Sequence, residues 1–324
     1  MRFVGLLGLL LLLGACSAVE PLTSPAEAPA DTSAVSSAAL STASGPQVTN
    51  QFIASRDVQI PITLTAPAEA SEAMPLVVML HGHGGDKNEA GGFTQVAERL
   101  ADAGVASVRM DFAGCGDSTE SFRNNRLSTM LADARSARDY ALDNLPIDTT
   151  RMALVGYSMG GRLAITLAEE DPRFHTLALW APSANTGTDG LAEFFGGDEA
   201  LAAAVATANA EGFTAFTTPW GDEQELGAGW FEDMAASEPS ALIEDYNGSV
   251  FVLYGDKDTV VKPAEAEMVV TEAAHAYSSW SYVVEGADHG LGLFSEEPEL
   301  TELAVTKTVD ALVAGLRESW VPQG

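Results

Sequence analysis

The stretch GYSMGG, at 156–161, sets a serine between two glycines directly after the apolar run RMALV at 151–155. A strand that turns abruptly into a helix brings the chain back against itself, and a side chain at Gly156 or Gly160 would crowd that turn. Ser158 would then stand at the tip on a strained backbone, its hydroxyl over the sheet, while the N–H of Met159 points into the same space from the first helical turn. A nucleophile beside a donor for negative charge is the pair that acyl transfer needs. A hydroxyl also needs a base, and the chain has five histidines. His289, in VVEGADHGLG, follows the last expected strand; His81 and His83, in LHGHGG, follow the strand LVVML at 76–80. Loops after parallel strands share one edge of the sheet, so both sites can reach Ser158. His175 begins a strand and belongs at the opposite edge, and His275 ends a helix and reads as a surface or cap residue.

A third group must fix the imidazole's tautomer and stabilise its charged form. YGDKDTVV, after the strand SVFVLYG at 249–255, offers Asp256 and Asp258, both at the right edge. A single DxD can also be a hydrogen-bonded turn. His81, His83 and Asp86 could together hold zinc, but the glycines at 82, 84 and 85 suit a loop that presents backbone donors better. Asp111 and Ser118 read as residues that close their own loop, and Asp288 as one that orients the loop of His289.

These loops need a frame. LVVML, VASVRM at 105–110, RMALV and TLALW at 176–180 are near-continuous apolar strands, with helical stretches FTQVAERLADAG and MLADARSARDYALDNL between them. In the second stretch Leu131, Ala134, Arg138 and Leu142 recur at helical spacing. A further helix, RLAITLAEE, stops at Asp171-Pro172. Apolar strands alternating with helices mean a largely parallel sheet covered on both faces. QFIAS and VQIPITLTAP predict a hairpin at a sheet edge, where Pro61 and Pro67 fit edge or terminal positions. The alternation breaks over about 183–240, which holds Phe194, Phe195, Phe213, Phe216, Trp220, Trp230 and Phe231 and is expected to be an inserted cap of two or three short helices. After it come SVFVLYG, a helix from Pro263 to His275, the strand SWSYVVEG and a last helix from Glu299 to Leu316.

The composition bounds the partners. Formal net charge is −30, from 46 acidic and 16 basic residues, a surface that repels nucleic acid and anionic headgroups. At the N-terminus, MRFVGLLGLLLLLGAC has one basic residue, an apolar run too short to span a bilayer, and small residues before Cys16. Residues 1–15 read as an export signal, and 16–47, rich in Ala, Ser, Thr and Pro, as a flexible tether. The ending Leu13-Gly14-Ala15-Cys16 resembles the lipobox of bacterial lipoproteins. That resemblance implies cleavage before Cys16, lipidation of its thiol, and anchoring to the cell envelope; Ser17 points to the outer membrane where there is one. With Cys16 acylated, Cys115 would have no disulfide partner and is expected to be a packed residue.

From about Gln51 to Leu316 the chain resembles the α/β-hydrolase superfamily, and within it microbial feruloyl and other carboxylic ester hydrolases. LHGHGG resembles the superfamily's oxyanion loop, DFAGCGDS at 111–118 its D-x-x-G-x-G-x-S loop, GYSMGG its nucleophile elbow and GADHG its histidine loop. Cys115 stands where that D-x-x-G-x-G loop often carries histidine, which implies altered packing there. The resemblance implies a catalytic domain over 48–320 with a mostly parallel central sheet, flanking helices and an inserted helical cap. It implies Ser158 as nucleophile, Asp258 (the second aspartate of DKD) as acid and His289 as base, in the chain order usual for the fold. It also implies that the backbone N–H groups of His83 and Met159 form the oxyanion hole. The expected activity is hydrolysis of a small-molecule carboxylic ester with an apolar or aromatic acyl group, without cofactor or metal; a peptidase or amidase would use the same residues. A haloalkane dehalogenase would carry aspartate at position 158, and a binding protein has no need of this ordered set.

Overall fold

Residues 74–80 alternate between two apolar environments, and that alternation organises the whole sheet. Leu76, Val78 and Leu80 face one core, Val77 and Met79 the other, as successive strand side chains must. A computed structural model describes residues 45–69 and 72–317. The expected export signal, Cys16 and all but the end of the expected tether lie outside the described residues.

Eight strands form the main sheet: β1 (Gln47–Ser55), β2 (Val58–Ala66), β3 (Met74–Leu80), β4 (Ala106–Met110), β5 (Ile147–Tyr157), β6 (Phe174–Trp180), β9 (Ser249–Gly255) and β10 (Ser278–Val284). Their order is β1-β2-β4-β3-β5-β6-β9-β10. β2 pairs antiparallel with β1 and β4, and every other neighbour pair is parallel. Helices α1 (Gly92–Asp102) and α9 (Pro298–Gly315) cover one face with Phe93, Val96, Leu100, Val305 and Leu312. Helices α2 (Leu127–Asn144), α3 (Met159–Glu170) and α8 (Pro263–Glu272) cover the other with Met130, Ala134, Leu163, Leu167 and Val269. This is the expected mostly parallel sheet with helices on both faces.

Pro61 departs from expectation, because it lies inside β2. Its carbonyl accepts the Asp111 N–H at 3.1 Å, beyond the last β2–β4 pair, Ile62 with Met110. The missing N–H of Pro61 therefore falls at the end of that ladder, where no bond is lost.

The inserted segment also differs. It holds α4 (Leu191–Phe195), α5 (Asp198–Glu211), an antiparallel hairpin of β7 (Phe213–Thr217) and β8 (Glu223–Gly227), then α6 (Ala228–Ala235) and α7 (Pro239–Asp245). The hairpin replaces part of the expected helical cap. Its turn closes through Thr218 N to Asp222 O at 2.9 Å, with Gly221 at φ 98°, a value glycine adopts without strain. Arg123, between β4 and α2, clamps the hairpin: its guanidinium donates to Glu225 at 2.9 Å and lies 3.4 Å from the Phe213 ring centroid. Arg126 holds α6 by two bonds to Asp233, at 2.9 and 2.5 Å. Arg162 of α3, 1% exposed, donates to the carbonyls of Ser183 and Asn185 at 3.1 and 2.7 Å and pins the entry to the insertion.

Because β3, β4, β5, β6, β9 and β10 are parallel, their following loops emerge at one edge. The loop after β3 is tied to the loop after β4 by a buried ion pair. Lys87 Nζ lies 2.6 Å from Asp111, which also accepts the backbone N–H groups of Lys87 and Asp117 at 2.7 and 2.9 Å. Asp111 thus closes its own loop, as expected, and holds the neighbouring one as well. Ser118 accepts the Glu120 N–H at 3.4 Å. Cys115 is 4% exposed and takes a bond from Asn125 at 3.5 Å; burial first, then the nearby carboxylates, push its thiol up to about 12.

Candidate active site

Ser158 follows the last residue of β5 and precedes α3, with φ 53° and ψ −115°. Few non-glycine residues adopt such a backbone, and it persists only where the surroundings hold it. They do so here: Ser158 N donates to Trp180 O at 2.8 Å, and Ser158 O accepts from Gly161 N and Ser183 N at 2.9 and 3.0 Å. The close approach falls on the two glycines. A Cβ on Gly156 would meet the carbonyl of Gly160, and one on Gly160 would meet the carbonyl of Leu80 at the end of β3.

His289 reaches the serine from the loop after β10. Its Nε2 lies 3.1 Å from Ser158 Oγ, and its Nδ1 lies 2.8 Å from Asp258 Oδ2. Asp258 is 4% exposed, and its other oxygen accepts the N–H groups of Val260 and Val261 at 2.8 and 2.9 Å. Three hydrogen bonds hold this carboxylate so that it cannot swing away from the imidazole. Nδ1 must donate to the carboxylate, which leaves the lone pair of Nε2 for the serine proton. Of the two aspartates that the sequence offers, Asp256 instead accepts the Gly286 N–H at 2.5 Å. Asp288 accepts the Gly290 N–H at 2.9 Å and orients the loop.

The remaining histidines are placed apart. His81 is fully buried; its Nδ1 donates to Gly82 O at 2.8 Å and its Nε2 accepts the Phe112 N–H at 3.1 Å. With both nitrogens so engaged it cannot serve as the zinc ligand weighed above, and among the described residues no group of three or more His, Cys, Asp or Glu is arranged to hold a metal ion. His175 opens β6 at the far edge, and the largely exposed His275 bonds Glu244 O at 2.9 Å.

His83 and Met159 both line the cavity that contains Ser158 and His289, a space of about 520 Å³, within the range of small-molecule sites. Met159 opens α3, where the first N–H groups have no partner inside the helix. The His83 side chain is also in the wall: Nε2 bonds Gln224 Oε1 of β8 at 2.7 Å, and the ring packs edge-on against Phe122, Phe194 and Trp230. Burial, the largest effect, lowers its pKa to about 4, so the ring is neutral at ordinary pH. Phe194, Trp220 and Trp230 bring the insertion's aromatics to the cavity.

Four further residues matter here that sequence reasoning did not single out. Tyr157 donates its phenolic O–H to His289 O at 3.0 Å and lays its ring 5.2 Å from the imidazole. Glu89 accepts the Gly82 N–H at 2.8 Å. Gln224 and Lys87 complete the set. Tyr157 sits beside the elbow and could have been found by position, whereas a bond such as His83–Gln224, spanning 141 residues, leaves no local signal.

Against solved structures the likeness covers most of the described chain. Est1E from Butyrivibrio proteoclasticus, in a structure with ferulic acid bound, matches with a TM-score of 0.66 at 20% identity, over 81% of this chain and 99% of that one. A putative hydrolase from Agrobacterium vitis S4 matches with a TM-score of 0.63 at 20% identity, over 84% and 99%. The chain has the α/β-hydrolase fold. The family model described as serine aminopeptidase, S33, matches residues 71–208. The quorum-quenching protein AidA of Acinetobacter baumannii (strain MDR-ZJ06) is 31% identical over 129 residues, which is 40% of this chain and 41% of that protein.

The elbow yields a direct test. Gly160→Ala must push the new methyl away from the Leu80 carbonyl by moving α3. We expect a loss of about 1–3 kcal/mol, as for overpacked cores, seen as a lower urea midpoint at unchanged m-value. A variant as stable as the parent would contradict the close approach described here.

Proposed function

We propose that this protein is a serine hydrolase that cleaves carboxylic esters through an acyl-enzyme. The observation that carries the reading is the continuous relay Ser158–His289–Asp258, at 3.1 and 2.8 Å, in the wall of an aromatic-lined cavity. In this reading His289 takes the proton as Ser158 Oγ attacks the carbonyl, and Asp258 stabilises the imidazolium without accepting its proton. The N–H groups of Met159 and His83 receive the oxyanion. His289 then protonates the leaving alcohol, and a water activated by the same imidazole releases the acid. The residues require no cofactor for these steps.

The substrate reading rests on the cavity wall. Phe194, Trp220 and Trp230 offer flat apolar surface for an aromatic or apolar acyl group, and the ferulic acid in the Est1E structure agrees with that class. The wall carries Asp189, Asp222, Glu265 and Asp288 and neither lysine nor arginine, so a negatively charged acyl group is disfavoured. The second reading is a peptidase or amidase using the same relay, favoured by the family model's description as a serine aminopeptidase. We also propose an anchor: the Leu-Gly-Ala-Cys ending at Cys16 supports lipid attachment to the cell envelope, with the catalytic domain held outward on the Ala/Ser/Thr/Pro tether.

A panel of p-nitrophenyl esters, a feruloyl ester and matched anilides separates these readings. We expect ester turnover well above anilide turnover, and a fall of at least tenfold on exchanging a neutral acyl group for a carboxylate-bearing one. Ser158→Ala and Asp258→Asn should each reduce turnover by on the order of 10³–10⁴ or more while circular dichroism is unchanged. Turnover indifferent to Ser158→Ala sinks the serine hydrolase, and anilides preferred over esters would favour the peptidase. For the anchor, metabolic labelling with a tagged fatty acid should mark the full chain and be lost in Cys16→Ser; labelling that survives the substitution excludes that attachment point.

A further inference from the structure

The cavity wall holds a titratable group that the proposed reaction does not use. Glu89 follows the LHGHGG loop, is 2% exposed, and accepts the Gly82 N–H through Oε2 at 2.8 Å. Its position is not one the chain takes freely: Glu89 and Ala90 lie at φ 45° and 48°, in a region that non-glycine residues seldom enter. The same carboxyl lies under Gly85, where a Cβ would come within 2.8 Å of Oε1.

This contact bears on the donor that the hydrolase reading assigns to His83. The carbonyl of Gly82 is held by His81 Nδ1 at 2.8 Å and by Gly85 N–H at 3.1 Å. A trans peptide is planar, so anchoring that carbonyl sets the direction of the His83 N–H on its opposite side. Glu89 anchors the preceding peptide through its N–H. Two successive peptides of the loop are therefore fixed from beneath, the first by Glu89 and the second by His81 and Gly85.

The charge of Glu89 then matters. A carboxylate one peptide away from the hole would repel the oxyanion that the hole must hold. The groups around it offer no cation to offset such a charge. Asp86, on its own loop, adds repulsion. Tyr157, at the end of β5, has its phenol raised well above the ordinary value, mainly by burial, and stays neutral; the Cys115 thiol, from the loop after β4, is neutral as well. His81 and His83 are both lowered by burial, and the Lys87 ammonium is committed to Asp111 and Asp117. Burial, the dominant cause, and the Asp86 charge together outweigh the Gly82 bond and raise the Glu89 carboxyl to about 8.

We propose that Glu89 is a positioning residue of the oxyanion loop that works as the neutral acid: its carboxyl fixes the Gly82 peptide, and its ionisation disables the hole. The inference rests on the serine hydrolase reading of the site. At neutral pH the carboxyl holds its proton and the loop is competent; as pH rises through about 8 the carboxylate forms, and the hole loses its electrostatic advantage. The alkaline side of the pH profile thus reports Glu89.

The test is the profile of kcat/KM for a neutral p-nitrophenyl alkyl ester, with spontaneous hydrolysis subtracted, from about pH 6 to about pH 10, in wild type, Glu89→Gln and Glu89→Ala. Wild type should fall with a midpoint near 8 and then about tenfold for each further pH unit. Glutamine keeps an acceptor for Gly82 N–H and cannot ionise, so Glu89→Gln should keep the wild-type rate near neutral pH and lose the alkaline fall. Alanine removes the acceptor and cannot ionise, so Glu89→Ala should lower kcat below the wild-type value at pH under about 8, a loss that the glutamine variant restores, and should show no alkaline fall. A wild type with no alkaline fall, or the same fall in Glu89→Gln, overturns the proposal. Should the glutamine variant fail to fold, the wild-type carboxyl can be followed directly by carbon NMR of glutamate-labelled protein. One glutamate titrating near 8 supports the proposal, and all of them titrating in the ordinary range overturns it. Failure of the hydrolase reading is distinct: it shows as ester turnover unaffected by Ser158→Ala at any pH.

Discussion

The carbonyls of Leu80 and Gly160 occupy the space that side chains at 160 and 156 would need. That exclusion is the constraint on which the site depends. It lets the first turn of α3 press against the ends of β3 and β5 at once, and so fixes three things together. Ser158 is held at φ 53° in the cavity wall; the first-turn N–H of Met159 is set beside it; and the loop after β3, which carries His81, Gly82 and His83, is brought alongside. A methyl group at either glycine would separate parts whose chemistry works only in register.

Parallel pairing supplies the rest. Strands buried on both faces must run the same way to be joined by helices that cover those faces, and the loops that follow them then meet at one edge. Each loop is secured by polar groups that would be costly to bury alone: Lys87 with Asp111, Asp258 with the Val260 and Val261 amides, His81 with the Phe112 amide. The insertion is joined to the same edge by Arg123, Arg126 and Arg162 and by the bond between Gln224 and His83. The aromatics of the cavity wall are thus referenced to the loop that carries His83.

The parts of this arrangement that follow from local chemistry were legible in the sequence. Near-continuous apolar runs marked the parallel strands, and the bounds expected for β9, 249–255, are those observed. The glycine spacing around Ser158 marked the elbow because the steric demand there is local. The hairpin of β7 and β8 was not legible. Its strands are five residues each, and they lie between alanine-rich helical segments whose pattern dominates any wider window. Glu89 gave no signal either, since a glutamate in a loop ordinarily faces water, and only the folded chain brings it under Gly82. Local chemistry alone left Asp256 and Asp258 both open, and only the resemblance pointed to Asp258; in the folded chain Asp256 faces the Gly286 amide and Asp258 the imidazole.

The central claim is that an imidazole, held by Asp258, makes one particular hydroxyl reactive. A fluorophosphonate probe reads this without reference to any substrate, because it bonds to an activated serine oxygen and stays there. Intact-mass measurement followed by peptide mapping should show one adduct per chain, on Ser158, forming at least a hundredfold more slowly when His289 is replaced by glutamine. Absence of an adduct on native protein, an adduct on another residue, or equal rates with and without the imidazole would contradict the account.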